Sequence, residues 1–153
     1  MKSSGPKRQK GARDVRQRRL GTNGPEVGAV GLGCMSMSTA YDTNERDDEE
    51  SVRVIHRAIE LGTNFIDTAE VYGPYENEEV VGRALAEGNL REQVVLATKT
   101  GLILEDGRIQ PDERPERMRE AIDGSLRRLG ADHVDLYYLH RVDPKVPVEE
   151  FWG

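Results

Sequence analysis

The sequence predicts an α/β fold built from repeated strand–helix units, and three observations carry that prediction. Short apolar runs start near residues 29, 64, 94 and 134, leaving room for a helix between successive strands. The stretches between them return apolar residues at helical spacing. Three of the four runs also end on an ionisable side chain: Asp67, Lys99 and His140. Strands in such a series are parallel, each intervening helix being a right-handed crossover. Four strands and three helices make half of an eight-fold (β/α)8 barrel, which needs about 250 residues when complete; this chain has 153. It is therefore expected to be truncated to about the first four βα units, after an N-terminal β-hairpin.

Each element follows from local chemistry. Leu20 precedes the turn signal Gly21-Thr22-Asn23-Gly24-Pro25, which suggests a short hairpin running into a first strand at Ala29–Gly33. Asp47, with Glu50 three residues on, resembles a capping box; Val52, Ile55 and Ile59 form one helical face, and Gly62 supplies the stop. Asn64–Asp67 is a compact strand. A second helix spans Asn77–Glu87 through Val80, Val81, Ala84 and Leu85, with Gly88 as its stop. Val94–Lys99 is an unbroken apolar run, as a strand covered on both faces requires. Pro115 occupies a first helical position, although Arg114 before it is a poor N-cap, and Met118, Ala121, Ile122, Ser125, Leu126 and Leu129 form one face before Gly130. Val134–His140 is the fourth strand, and "EEFWG" begins a fourth helix.

Composition bounds the function. Hydrophobic content of 36% and charged content of 33% suit a hydrated globular domain. No apolar run approaches the roughly 20 residues that cross a bilayer. The single cysteine, Cys34, offers no internal disulfide, so a cytoplasmic setting is expected. Residues 1–19 hold eight Lys/Arg and one acid, a charge of +7, which leaves −13 for the rest of a chain whose net charge is −6. Residues 1–17 are expected to be a basic disordered extension, an uninformative tail in preference to a transit peptide or nucleic-acid arm. The acidic body, residues 18–153, disfavours phosphate-backbone binding.

Chemistry concentrates at the strand ends. In parallel α/β folds the carboxyl ends of the strands share one face, where sites are built. Asp67, Lys99 and His140 should converge there, with Tyr72 on the loop that follows Asp67. A phenol is a poor acid at neutral pH. An ammonium beside it favours phenolate, a carboxylate holds that ammonium in place, and an imidazole can orient a substrate oxygen. Such a phenol can protonate a carbonyl oxygen as hydride reaches the carbon. Alone, Asp67 would read as a turn cap, Lys99 as a solvated strand end and His140 as a core histidine. Their joint placement is what favours catalysis.

Other candidates are weaker. His56 lies inside a helix and His133 in a connection, so both read as structural or exposed. Tyr41, Tyr75, Tyr137 and Tyr138 lack a lysine at matching spacing and read as packing residues. Nothing local activates Cys34. Arg141 either faces the mouth or pairs with acids, with pairing favoured. No cysteine or histidine spacing suits a metal, and Gly31-x-Gly33 lacks the third glycine of a dinucleotide fingerprint.

The segments "EVGAVGLGCMSMS", "GTNFIDTAEVYGPYENEEVVGRAL", "VVLATKTG" and "SLRRLGADHVDLYYLHRVDP" closely resemble the aldo-keto reductases over roughly residues 18–150. That resemblance implies a TIM barrel using NADPH, or less often NADH, to reduce aldehydes and ketones. It makes Tyr72 the proton donor, Lys99 its modulator, Asp67 the partner of the lysine and a cofactor contact, and His140 the substrate-orienting group. It also makes Gly33 and Met35 wall positions on the nicotinamide side. The implied partner is a small-molecule carbonyl substrate, with neither nucleic acid nor membrane. An open half-barrel would expose two strand edges, so a homo-oligomer or another partner covering the edge is expected. The alternative is an inactive relative that binds or regulates.

Overall fold

The computed structural model of the chain describes residues 15–38, 46–112, 114–142 and 147–152. Most of the expected basic extension, and Tyr41, lie outside these residues. Antiparallel strands β1 (Gln17–Arg19) and β2 (Glu26–Gly28) form the expected hairpin. Val15, Arg16 and Gln17, assigned to the extension from sequence, already engage the folded body. The Val15 N–H donates to the Leu61 carbonyl at 3.0 Å and the Gln17 amide to the Gly62 carbonyl at 3.2 Å.

The chain continues through β3 (Leu32–Gly33), a 3-10 turn at Met35–Met37, helix α1 (Asp48–Glu60), β4 (Phe65–Asp67), α2 (Asn77–Glu87) and β5 (Val95–Thr100). Then come β6 (Leu102–Glu105), β7 (Arg108–Pro111), α3 (Pro115–Leu129), β8 (Leu136–Leu139) and the short α4 (Val148–Trp152). Strands β3, β4, β5 and β8 form one parallel sheet in that order, with α1, α2 and α3 as the crossovers. This is the predicted βαβ series. Asn64 pins the N-terminal hairpin to the amino end of β4. Its Oδ1 accepts the Gly28 N–H at 2.7 Å and its Nδ2 donates to the Glu26 carbonyl at 3.1 Å.

Helix ends show which local signals acted. Asp47 caps α1 by accepting the Glu50 N–H at 2.8 Å, but the Glu50 carboxylate turns outward to Arg53 at 2.7 Å, so the box is only half formed. Gly130 ends α3 in the left-handed region at φ 60°. Gly88, the expected stop of α2, is right-handed instead; the reversal falls on Asn89 at φ 50°, asparagine being the next most tolerant residue there. Strand β3 is shorter than the expected Ala29–Gly33. Ala29 and Val30 lie exposed in a bend, and among the described residues only one strand neighbours β3.

The core lies between the sheet and its helices. Ile55, Val81 and Ala84 from α1 and α2 meet Ile66 and Leu96 from the sheet, all fully buried. Helices α2 and α3 approach so closely at Gly82 that an added Cβ would sit 2.6 Å from the Leu129 carbonyl oxygen. Strand alternation then sorts β5. Leu96, Thr98 and Thr100 face the helices, which leaves Val95, Ala97 and Lys99 on the opposite face.

The β6–β7 hairpin was not anticipated. Its register, Glu105 opposite Arg108, leaves a two-residue loop at Asp106-Gly107 with φ of 49° and 74°. Asp-Gly between extended residues is the sequence signal for such a turn. No helix among the described residues is long and apolar enough to cross a membrane.

Candidate active site

Three strand ends and one loop bring the four predicted catalytic residues together. Asp67 closes β4, Lys99 is the penultimate residue of β5, and His140 directly follows β8. The ladder pairs Asp67 with Ala97, so Lys99 projects from the same face one pleat further up. From there its ammonium reaches back to the Asp67 Oδ1 at 2.5 Å, the Thr68 carbonyl at 2.8 Å and the Tyr72 hydroxyl oxygen at 3.2 Å. An ammonium has three protons, and all three have acceptors here.

Because the Tyr72 oxygen accepts from Lys99, its own proton is free to point elsewhere. The Tyr72 and His140 rings meet edge to face, with centroids 5.5 Å apart at 87°. Burial, and after it the charges of Lys99 and Arg141, hold the His140 pKa below the usual imidazole value against the opposing pull of Asp67. The ring is therefore neutral at neutral pH, with one donor and one acceptor nitrogen. Its Nδ1 is buried without a hydrogen-bond partner among the described residues. Arg141 is exposed and has no acid partner among the described residues, contrary to the favoured reading of it.

The loop carrying Tyr72 is anchored on both sides. Glu70, 2% exposed, accepts from Thr100 Oγ1 at 2.9 Å and from Arg117 of α3 at 3.0 Å. Gly73 sits at φ 66°, where an added Cβ would lie 2.5 Å from the Ser38 side chain. Tyr75, at φ 69°, takes a conformation that costs a non-glycine residue about 1–3 kcal/mol. It is held by the Arg128 guanidinium 5.4 Å from its ring centroid. Below the loop Glu78, wholly buried, accepts from Thr98 Oγ1 at 2.6 Å and from Arg128 at 2.7 Å. Sequence reasoning missed both glutamates. Each is the first or second acid of an ordinary-looking polar stretch, and its arginine lies about fifty positions away.

Glu70 has a consequence for stability. Burial raises its pKa above the ordinary carboxylate value, although Arg117 and Thr100 oppose the shift. The folded state then holds this proton to higher pH than the unfolded chain does. Stability from this group is therefore lost as pH rises from about 4.3, the unperturbed glutamate value. Relative to the Glu70→Gln variant, the unsubstituted chain should lose stability as pH rises through that window and level off once Glu70 is fully ionised. Urea unfolding of both proteins across the range measures this; a constant difference would rule it out.

Cys34 is also accounted for. Burial foremost, and then Asp67, push its thiol up to about 12 against the pull of Lys99, so it is unreactive, as expected. His56 links α1 to α2 by its Nε2 contact with the Ala84 carbonyl at 2.7 Å, and His133 is exposed beside Asp132. The Tyr137 hydroxyl donates to the Met118 carbonyl at 3.4 Å. Gly33 lies opposite Asp67 in the ladder, and an added Cβ there would meet nothing within 4 Å; Met35 follows in the 3-10 turn.

Known proteins share this fold. The model of the aldo/keto reductase family matches residues 29–153. An aldo-keto reductase from Bacillus halodurans, solved in a holo form, is 37% identical, with a TM-score of 0.77 over 90% of this chain and 44% of its own. The glycerol dehydrogenase of Gluconobacter oxydans is 38% identical, with a TM-score of 0.71 over 90% of this chain and 42% of its own. The chain thus spans less than half the length of these two relatives. With the parallel sheet and most of its length matched, the chain belongs to the aldo/keto reductase family.

Proposed function

We propose that this chain carries the proton-transfer site of a nicotinamide-dependent reductase that converts aldehydes or ketones to alcohols, with Tyr72 as the proton donor. The observation that carries this is the Lys99 ammonium, bonded at once to the Asp67 carboxylate and the Tyr72 oxygen. As a proton leaves the phenol, charge grows on an oxygen already facing a fixed cation. Asp67 supplies the counter-charge that keeps this cation in place. The neutral His140 can donate to the substrate carbonyl oxygen or accept from the product hydroxyl, and so orient the group that Tyr72 protonates.

A nicotinamide supplies the hydride when bound. The open space at Gly33, opposite Asp67 in the ladder, leaves room for a planar group at this rim. Gly33, Met35 and Asp67 are the residues that would border it. NADPH is the proposed cofactor by resemblance, NADH the alternative, and the cytoplasm the proposed setting.

A second reading, an inactive chain that binds or regulates, is favoured by one feature. Strands β3 and β8 each leave one edge unpaired among the described residues, and such edges recruit other strands. Calorimetric titration with NADPH, followed by a benzaldehyde-dependent NADPH oxidation assay, separates the two. The catalytic reading expects saturable binding and turnover. If neither is seen, it fails and the second stands.

A further inference from the structure

One wholly buried polar residue near the site has no place in the chemistry above. Asn77, the first residue of α2, is 0% exposed. Its Nδ2 donates to the Cys34 carbonyl at 2.8 Å and to Ser38 Oγ at 2.6 Å, while its Oδ1 accepts from Thr68 Oγ1 at 2.6 Å. Its backbone N–H donates to the Tyr72 carbonyl at 3.3 Å. Both amide protons and the amide oxygen are thus committed, to groups on two different segments: the turn after β3 and the loop after β4. None of the side-chain bonds caps α2, whose N-cap residue, Glu76, makes no side-chain cap bond.

Those segments are the ones that frame the site. Cys34 and Ser38 flank the 3-10 turn after β3, and the Cys34 N–H itself donates to the Asp67 carbonyl at 2.8 Å. Thr68 offers Lys99 the carbonyl that is its second acceptor. Gly73, directly after Tyr72, is pressed against Ser38 with no room for a methyl group. The Asn77 amide thus adds a side-chain tie between the turn after β3 and the loop that holds the phenol.

We propose that Asn77 is a positioning residue for the Tyr72–Lys99 pair: its side chain clamps Thr68 to Cys34 and Ser38, and its backbone holds the Tyr72 carbonyl. Buried amides are satisfied or costly, and this one is satisfied only when both segments stand where the site needs them. Thr68 is the link through which the clamp reaches the ammonium. The inference rests on the proposed role of Tyr72 for its catalytic meaning, but the geometry it asserts can be tested without turnover.

The experiment labels the full chain with 3-fluorotyrosine, assigns the resonances by single Tyr→Phe changes, and compares it with Asn77→Ala and Thr68→Val. The Tyr72 resonance should move or broaden in both variants, with the Tyr137 resonance unmoved. Benzaldehyde turnover should fall about 10- to 100-fold in kcat, the scale of a misplaced catalytic group, with KM within about twofold because binding is not what was lost. An unmoved Tyr72 resonance in a folded Asn77→Ala variant overturns the proposal. So does failure of both variants to fold, which would make Asn77 a residue that holds the fold and not the site. If the unsubstituted chain shows no turnover while the Tyr72 resonance still responds, the clamp stands and the reductase reading falls.

Discussion

Changing Tyr72 to phenylalanine should lower aldehyde reduction by about 10² to 10⁴-fold, the usual range for losing a positioned proton donor, while NADPH binding persists. The ring is retained, so its edge contact with His140 at 5.5 Å survives. What disappears is one oxygen. Lys99 then keeps two acceptors, Asp67 and the Thr68 carbonyl, and holds its place. The lost bond is partly solvated, so stability should change by only about 1 kcal/mol. Steady-state kinetics beside calorimetric titration with NADPH measure both halves. Turnover at the unsubstituted level would place the proton on some other group, and joint loss of binding and fold would mean that the hydroxyl is structural.

The largest stability effect should come from Arg128→Met. Glu78 is fully buried, and Arg128 grips one carboxylate oxygen through Nε at 2.8 Å and Nη2 at 2.7 Å. Methionine preserves much of the arginine stem but leaves an interior carboxylate with, among the described residues, the Thr98 hydroxyl as its one side-chain donor. Breaking a buried pair in this way costs about 3–5 kcal/mol, because one charge remains uncompensated. Removing both charges, with Glu78→Gln alongside Arg128→Met, should recover most of the loss, since a neutral pair has no such penalty. Exposed pairs such as Arg57–Glu60 are the contrast, worth about 1 kcal/mol or less. Urea denaturation of the two variants decides it; a loss no larger than that of an exposed pair would show that water reaches Glu78.

Much of this was legible in the sequence, for identifiable reasons. Helix α2 was expected over Asn77–Glu87 and spans those residues, because its apolar face is periodic and a glycine follows. Strand β5 was legible because a sheet covered on both faces must be continuously apolar. Asp67, Lys99 and His140 could be grouped because parallel topology brings the ends of distant strands to one rim. The rest depended on partners that sequence spacing does not reveal. Asn77 at a helix start looks like any polar opening residue, and only the fold shows its amide turned inward to Cys34 and Thr68. Glu70 and Glu78 look like solvated acids until α3 delivers Arg117 and Arg128 to them. The β6–β7 hairpin had a local signal in Asp106-Gly107, overlooked because it interrupts the βαβ rhythm.

The fully committed protons of Lys99 bear on which side reactions this rim permits. An amine must present a lone pair to condense with an aldehyde, and an ammonium hydrogen-bonded in three directions presents none. A reactive carbonyl compound held beside Tyr72 would therefore escape capture as an imine on the nearest nitrogen.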